Sequence, residues 1–285
     1  MHWGRVVGWV AGLLLSVAAT VNARELRILT SFLPLYCFTA NVAGTAASVE
    51  MLLPSNVEPH DYQLTVKDRA RIEGADLVIL HGAGLDNWLA GALEGTGRPV
   101  LVISSTVSKD LIYTGMSPNP HFWLDPTVAM RCVTNIVETL TRLDPEKGDL
   151  YVRNGSNYIA RLQALDAELE ANLAPVRGRS FVTFHDSFAY FARRYELRIP
   201  GVIELVPEVS PSPRYLTGLY RVIREAKASC IFIEPQFRSS IAQMVAEDLH
   251  LPLGTLNTIE SGPANSRSYE VGMQQNGRTL RERLK

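Results

Sequence analysis

Between Asp149 and Ala174 the chain reads DLYVRNGSNYIARLQALDAELEANLA. Tyr151, Tyr158, Leu162, Leu165, Leu169 and Leu173 fall on one face of a 3.6-residue period, so the segment is an amphipathic helix running from about Gly148 to Ala174. Pro175 ends it, because proline has no N–H to give and its ring collides with the preceding turn. Such a helix of roughly 25 residues is about 37 Å long, enough to pass from one domain to another. The same stripe also suits an ordinary surface helix, so the flanking sequence decides.

On both sides, short apolar runs alternate with helical patterns. Leu26–Leu29, Leu77–Leu80 and Val100–Ile103 precede the helix; Phe181–Phe184 and Ile231–Ile233 follow it. Helical periodicity runs from Val66 to Gly74 and from Leu216 to Ala228. Buried strands separated by amphipathic helices indicate an α/β fold with mainly parallel sheets. No repeats or low-complexity tracts interrupt the pattern. Asn154-Gly155-Ser156 fits a glycosylation sequon, but its place inside the helix gives it little weight.

The chain has 285 residues, 46% of them hydrophobic, enough for one large domain or two of ordinary size. Arg5 is the first charge, and VVGWVAGLLLSVAA follows it from Val6 to Ala19, too short for a stable membrane anchor. With Val21-Asn22-Ala23 next, residues 1–23 read as a cleaved secretory signal, and the mature chain is expected to start near Arg24. No cysteine stands at the cleavage point, so no lipid anchor is expected. Losing one arginine and no acid takes the formal charge from −1 to −2, which leaves no electrostatic footprint for nucleic acid. Cys37, Cys132 and Cys230 form no CxxC pair, and no disulfide framework is expected.

Five histidines remain after residue 23: His60, His81, His121, His185 and His250. His60 in EPHDY, His121 in NPHFWLDP and His185 in FHDSF each follow a strand or a proline-stiffened loop, where open α/β sheets place their ligands. A single histidine of this kind is usually structural. Three converging imidazoles make most of a divalent-metal site. Asp61 and Asp186 directly follow two of them and either orient the second ring nitrogens or serve as plain loop carboxylates. Phe122 and Trp123 read as a brace for the His121 loop, and Asp125-Pro126 as the cap of the helix that follows.

These segments carry a resemblance. EPHDYQLTVKDRARIEGADLVILHGAGLDNWL resembles the first metal-binding segment of the zinc and manganese solute-binding proteins of ABC importers, the ZnuA/TroA type. NPHFWLDP and FHDSFAYFARRYEL resemble that family's second and third motifs; IELVPEVSPSP, IFIEPQF and SYEVGMQQNGRTLRERL extend the likeness over essentially the whole mature chain. The resemblance implies two α/β lobes, residues 24–146 and 176–285, joined by one rigid helix over 147–175, with the metal held between them. It implies His60, His121 and His185 as ligands.

The fourth position departs from the family, with Asn257 where an aspartate is usual. Glu260, Glu58 or a water are the alternatives, and a carboxylate or water is favoured over Asn257. Three imidazoles suit Zn2+ better than Mn2+, which prefers oxygen donors. The long histidine-rich insertion of many zinc members is missing before NPHFWLDP, so any metal-collecting role passes to a partner, such as a zinc metallochaperone. The resemblance implies a monomeric periplasmic protein that delivers its ion to an ABC importer permease in the inner membrane. Two rivals differ in class. A secreted three-histidine zinc hydrolase, with Asp186 or Glu208 as base, lacks any HExxH or GxSxG support in the sequence. An adhesin role finds no support in the composition.

Overall fold

The computed structural model describes residues 24–285 apart from Asp61, residues 206–208 and residues 237–238. The expected signal segment, Asp61 and Glu208 therefore lie outside the described residues. In chain order the elements are β1 (Leu26–Thr30), α1 (Leu33–Ala43), β2 (Ala47–Met51), α2 (Val66–Gly74), β3 (Leu77–Leu80), α3 (Asn87–Leu93), β4 (Val100–Val102) and α4 (Ile103–Thr106). A small hairpin, β5 (Tyr113–Thr114) and β6 (Ser117–Pro118), leads to α5 (Pro126–Leu143) and α6 (Gly148–Leu173). Then come β7 (Val182–Thr183), α7 (Ala189–Arg194), α8 (Pro213–Glu225), β8 (Ile231–Ile233), α9 (Ser240–Leu249), β9 (Leu253–Thr255) and α10 (Ser268–Arg283).

The strands form two parallel sheets, ordered β2-β1-β3-β4 before α6 and β7-β8-β9 after it. β3, LVIL, is buried at all four positions, as a strand covered on both faces must be. Sequence reading misses β2 and β9 because both are sheet edges, half-exposed or only three residues long, with no continuous apolar run.

The long helix is where the spacing places it, over 26 residues. All six stripe residues, Tyr151, Tyr158, Leu162, Leu165, Leu169 and Leu173, are buried, against α1, α5 and α10. Each such apolar side chain contributes about 1.5–3 kcal/mol over leaving it exposed. Gly155 lets α5 come close, since a Cβ there would collide with Val137. Polar bonds fasten the helix at two further points. Arg161 donates to Asn41 of α1 at 2.6 Å and to Glu270 of α10 at 2.8 Å. Asp166 accepts from Arg194 of α7 at 2.5 Å and from Tyr195 at 3.0 Å. The sequon residue Asn154 is likewise occupied, donating to Val42 O at 3.0 Å. Cys37, Cys132 and Cys230 are all buried and free.

Candidate metal centre

The candidate residues sit on connections beyond the carboxyl ends of strands, where the polar backbone of a parallel sheet runs out and side chains of different loops meet. His60 follows β2, His185 stands two residues past β7, and Glu260 lies on the loop after β9. His121 precedes the short turn Phe122–Leu124, which Asp125 converts into α5 by capping the Thr127 N–H at 2.9 Å with Pro126 at the first helical position.

Trp123, 1% exposed, is the brace expected of it. Its indole donates to Thr258 O at 2.8 Å and its carbonyl accepts from Tyr269 at 2.7 Å, tying the His121 loop to the Glu260 loop. His81 is a second prop. Its ring stacks on Phe122 at 4.1 Å and its Nε2 donates to Pro120 O at 2.6 Å. Burial pulls its pKa down to about 3, so it stays neutral and structural. His250 closes α9 in a left-handed conformation, away from the cluster.

One donor atom from each of His60, His121, His185 and Glu260 lies within 4.8 Å of the others. His121 Nε2 is 3.2 Å from His185 Nε2 and 3.0 Å from Glu260 Oε1. A tetrahedral ion with bonds of about 2.0–2.1 Å spaces its ligands roughly 3.3 Å apart, so these separations match a zinc-sized ion. The three histidines border a cleft of about 230 Å³ that Asn119, Asp186 and Glu204 also line.

The charges around the cluster are unusual. Burial opposes the Glu260 carboxylate, but His121, 3.0 Å away, and the charge of His185 hold it down at about 2. Burial likewise opposes a charged His185, yet the hydrogen bond and charge of Glu234, with Glu260 and Glu58 behind them, push it up to about 9. Glu58 is raised to about 8 by burial and by its hydrogen-bonded neighbour Glu260. An excess of buried carboxylate facing imidazole is a field that favours a cation.

Glu260 is the carboxylate the structure brings to the three histidines. Asn257 is not brought there: its Oδ1 accepts the Ile259 N–H at 2.7 Å, closing a turn in which Ile259 takes φ +63°. That left-handed conformation is costly for a β-branched residue, and it redirects the chain so that the next side chain enters the site. The second ring nitrogen of His185 is oriented by Glu234, not by the adjacent Asp186. Glu234 Oε1 lies 2.8 Å from His185 Nδ1 and takes a further bond from Ser187 at 3.2 Å. Asp186 turns instead to Thr114 at 3.1 Å. Sequence reading passed over Glu234, although an acid directly after the buried run Ile231–Ile233 stands where such sheets put their site residues.

A family model described as zinc-uptake complex component A, periplasmic, matches residues 28–283. The chain belongs to that family. Its members are metal-binding transport proteins, not enzymes, which removes the hydrolase reading. The chain is similar to the high-affinity zinc uptake system protein ZnuA of Bacillus subtilis, at 28% identity over 94% of this chain and 90% of that protein. It is similar to the zinc-binding lipoprotein AdcA of Streptococcus pneumoniae at 30% identity, covering 83% of this chain but only 50% of AdcA. Among solved structures it resembles FpvC of Pseudomonas aeruginosa in complex with Ni2+, with a TM-score of 0.83, 28% identity, and coverage of 92% of this chain and 97% of that one.

Proposed function

We propose that the protein captures one divalent cation, zinc in preference to manganese, through His60, His121, His185 and Glu260, and delivers it to an ABC importer permease. The observation that carries this reading is the convergence of three imidazole nitrogens and one carboxylate oxygen within 4.8 Å. A set of three nitrogens and one oxygen at tetrahedral spacing suits borderline Zn2+; Mn2+ takes oxygen-rich shells and binds weakest in the divalent series. The zinc-binding relatives support the same choice. The division into a lobe over 24–146, a connecting helix over 147–175 and a lobe over 176–285 fits capture in the cleft between two sheets, outside the cytoplasmic membrane.

The test is calorimetric titration of the metal-stripped protein with zinc and manganese separately, repeated with His121→Ala. One zinc site, abolished or greatly weakened in the variant, is the expected result. Tighter binding of manganese would overturn the choice of metal, and binding of neither ion would overturn the site.

A further inference from the structure

Asn119, the first residue of NPHFWLDP, is 5% exposed, and its side chain and carbonyl make four polar contacts that span the two halves of the site. Its Oδ1 lies 3.0 Å from both the backbone N and the ring Nδ1 of His121. Its Nδ2 donates to the carbonyl of Asp186 at 2.6 Å, one residue beyond His185. Its own carbonyl accepts from Tyr190 at 2.7 Å, and the same hydroxyl accepts the Ile112 N–H at 2.8 Å.

The carboxamide has only one orientation consistent with these partners. The His121 N–H can only donate, so the atom facing it is oxygen; the Asp186 carbonyl can only accept, so the atom facing it is the NH₂. An oxygen at 3.0 Å from His121 Nδ1 then requires that Nδ1 carry the hydrogen. Nδ1 is thereby committed to Asn119, and Nε2, 3.2 Å from His185 Nε2 and 3.0 Å from the Glu260 carboxylate, is the nitrogen left to take a cation in place of a hydrogen.

We propose that Asn119 is the positioning residue of the metal centre: it selects the metal-binding tautomer of His121 and, with its other end, ties down the loop that carries His185. This rests on the metal-capture reading above, and it assigns to one neutral side chain the alignment of two donors from opposite sheets. Aspartate at this position would keep the acceptor for Nδ1–H but turn an oxygen against the Asp186 carbonyl, separating the two roles.

The experiment uses the metal-stripped protein at pH 8.5, as wild type, Asn119→Ala and Asn119→Asp. Long-range ¹H–¹⁵N spectra of the imidazoles report the His121 tautomer, amide exchange reports the Ser187 N–H that closes on His185 O, and zinc titration follows. Wild type should show protonated Nδ1. Asn119→Ala should show mixed tautomers, faster Ser187 exchange and zinc affinity lower by roughly 10- to 100-fold, the usual effect of losing a partner that orients a ligand. Asn119→Asp should restore the tautomer but not the slow exchange. Unchanged tautomer and exchange in Asn119→Ala would overturn the proposal; if that variant does not fold, slow Ser187 exchange in Asn119→Asp does so. If wild type binds no zinc, the capture reading fails, while the tautomer and exchange data still decide the role of Asn119.

Discussion

Replacing Glu234 tests whether His185 is tuned from the far side of its ring. The carboxylate is 2% exposed, 2.8 Å from His185 Nδ1, and takes a hydrogen bond from Ser187. Glu234→Gln keeps an acceptor of nearly the same shape and removes the charge. Since a charge-assisted hydrogen bond is about twice as strong as a neutral one, about half of its roughly 1.5–3 kcal/mol is lost, a weakening of zinc of roughly 3- to 12-fold. Glu234→Ala removes the whole bond, and the loss should approach 100-fold. The same carboxylate also raises the proton affinity of His185, so near neutral pH an easier deprotonation masks part of the effect. Competition titration against a chelating dye near pH 9 avoids that masking. Asp186→Ala, which touches Thr114 and not the ring, is the control and should change affinity by less than about threefold. Both Glu234 variants within twofold of wild type, with Asp186→Ala weaker than either, would refute the assignment.

Zinc affinity should fall with acid. His185 holds a proton up to about pH 9, so binding displaces that proton at every lower pH, and each unit downwards costs about tenfold; a chelator competition series from pH 8 to pH 5.5 should span at least about 2.5 decades. Saturating zinc at about 100 times its dissociation constant should stabilise the fold by about 2.7 kcal/mol, seen as a rise in the thermal midpoint that a chelator reverses. Asp166→Ala removes the acceptor of Tyr195 and leaves Arg194 only Glu170 at 3.5 Å, and should cost about 2–3 kcal/mol in urea unfolding, with zinc affinity little changed.

The parts of the fold that sequence revealed are those where one physical requirement acts alone. The stripe from Tyr151 to Leu173 must be apolar because α6 buries one face and wets the other, and nothing else constrains it. β1, β3 and β8 were visible as runs because they are central in their sheets and bury most of their residues, β3 all four. The three histidines could be read because each sits in a stiff, recognisable loop. The fourth donor was legible only as a carboxylate or water in preference to Asn257; that Glu260 reaches the histidines depends on the turn closed by Asn257 Oδ1 and the left-handed Ile259. No propensity predicts that an isoleucine will accept positive φ. Glu234 was hidden differently: its partner His185 lies 49 positions away, while Asp186 stands next door and draws the eye.

Contacts that position the candidate donors cross between the segments before and after α6. Trp123 and Tyr269 join the His121 and Glu260 loops at the back, and Asn119 and Thr114 hold the Asp186 loop at the front. Behind them α6 is fastened to α1 and α10 through Arg161 and to α7 through Asp166. A site supported in this way loses little conformational freedom when it closes on an ion, so little of the binding energy is spent on ordering it. What remains to resist binding is dehydration of the cation and displacement of the proton on His185. Glu260, held near 2, offers its full charge across the physiological range, while His185 at about 9 does not offer its lone pair until that proton leaves. Cation and proton therefore compete for the same lone pair of His185, which ties the affinity of the centre to acidity.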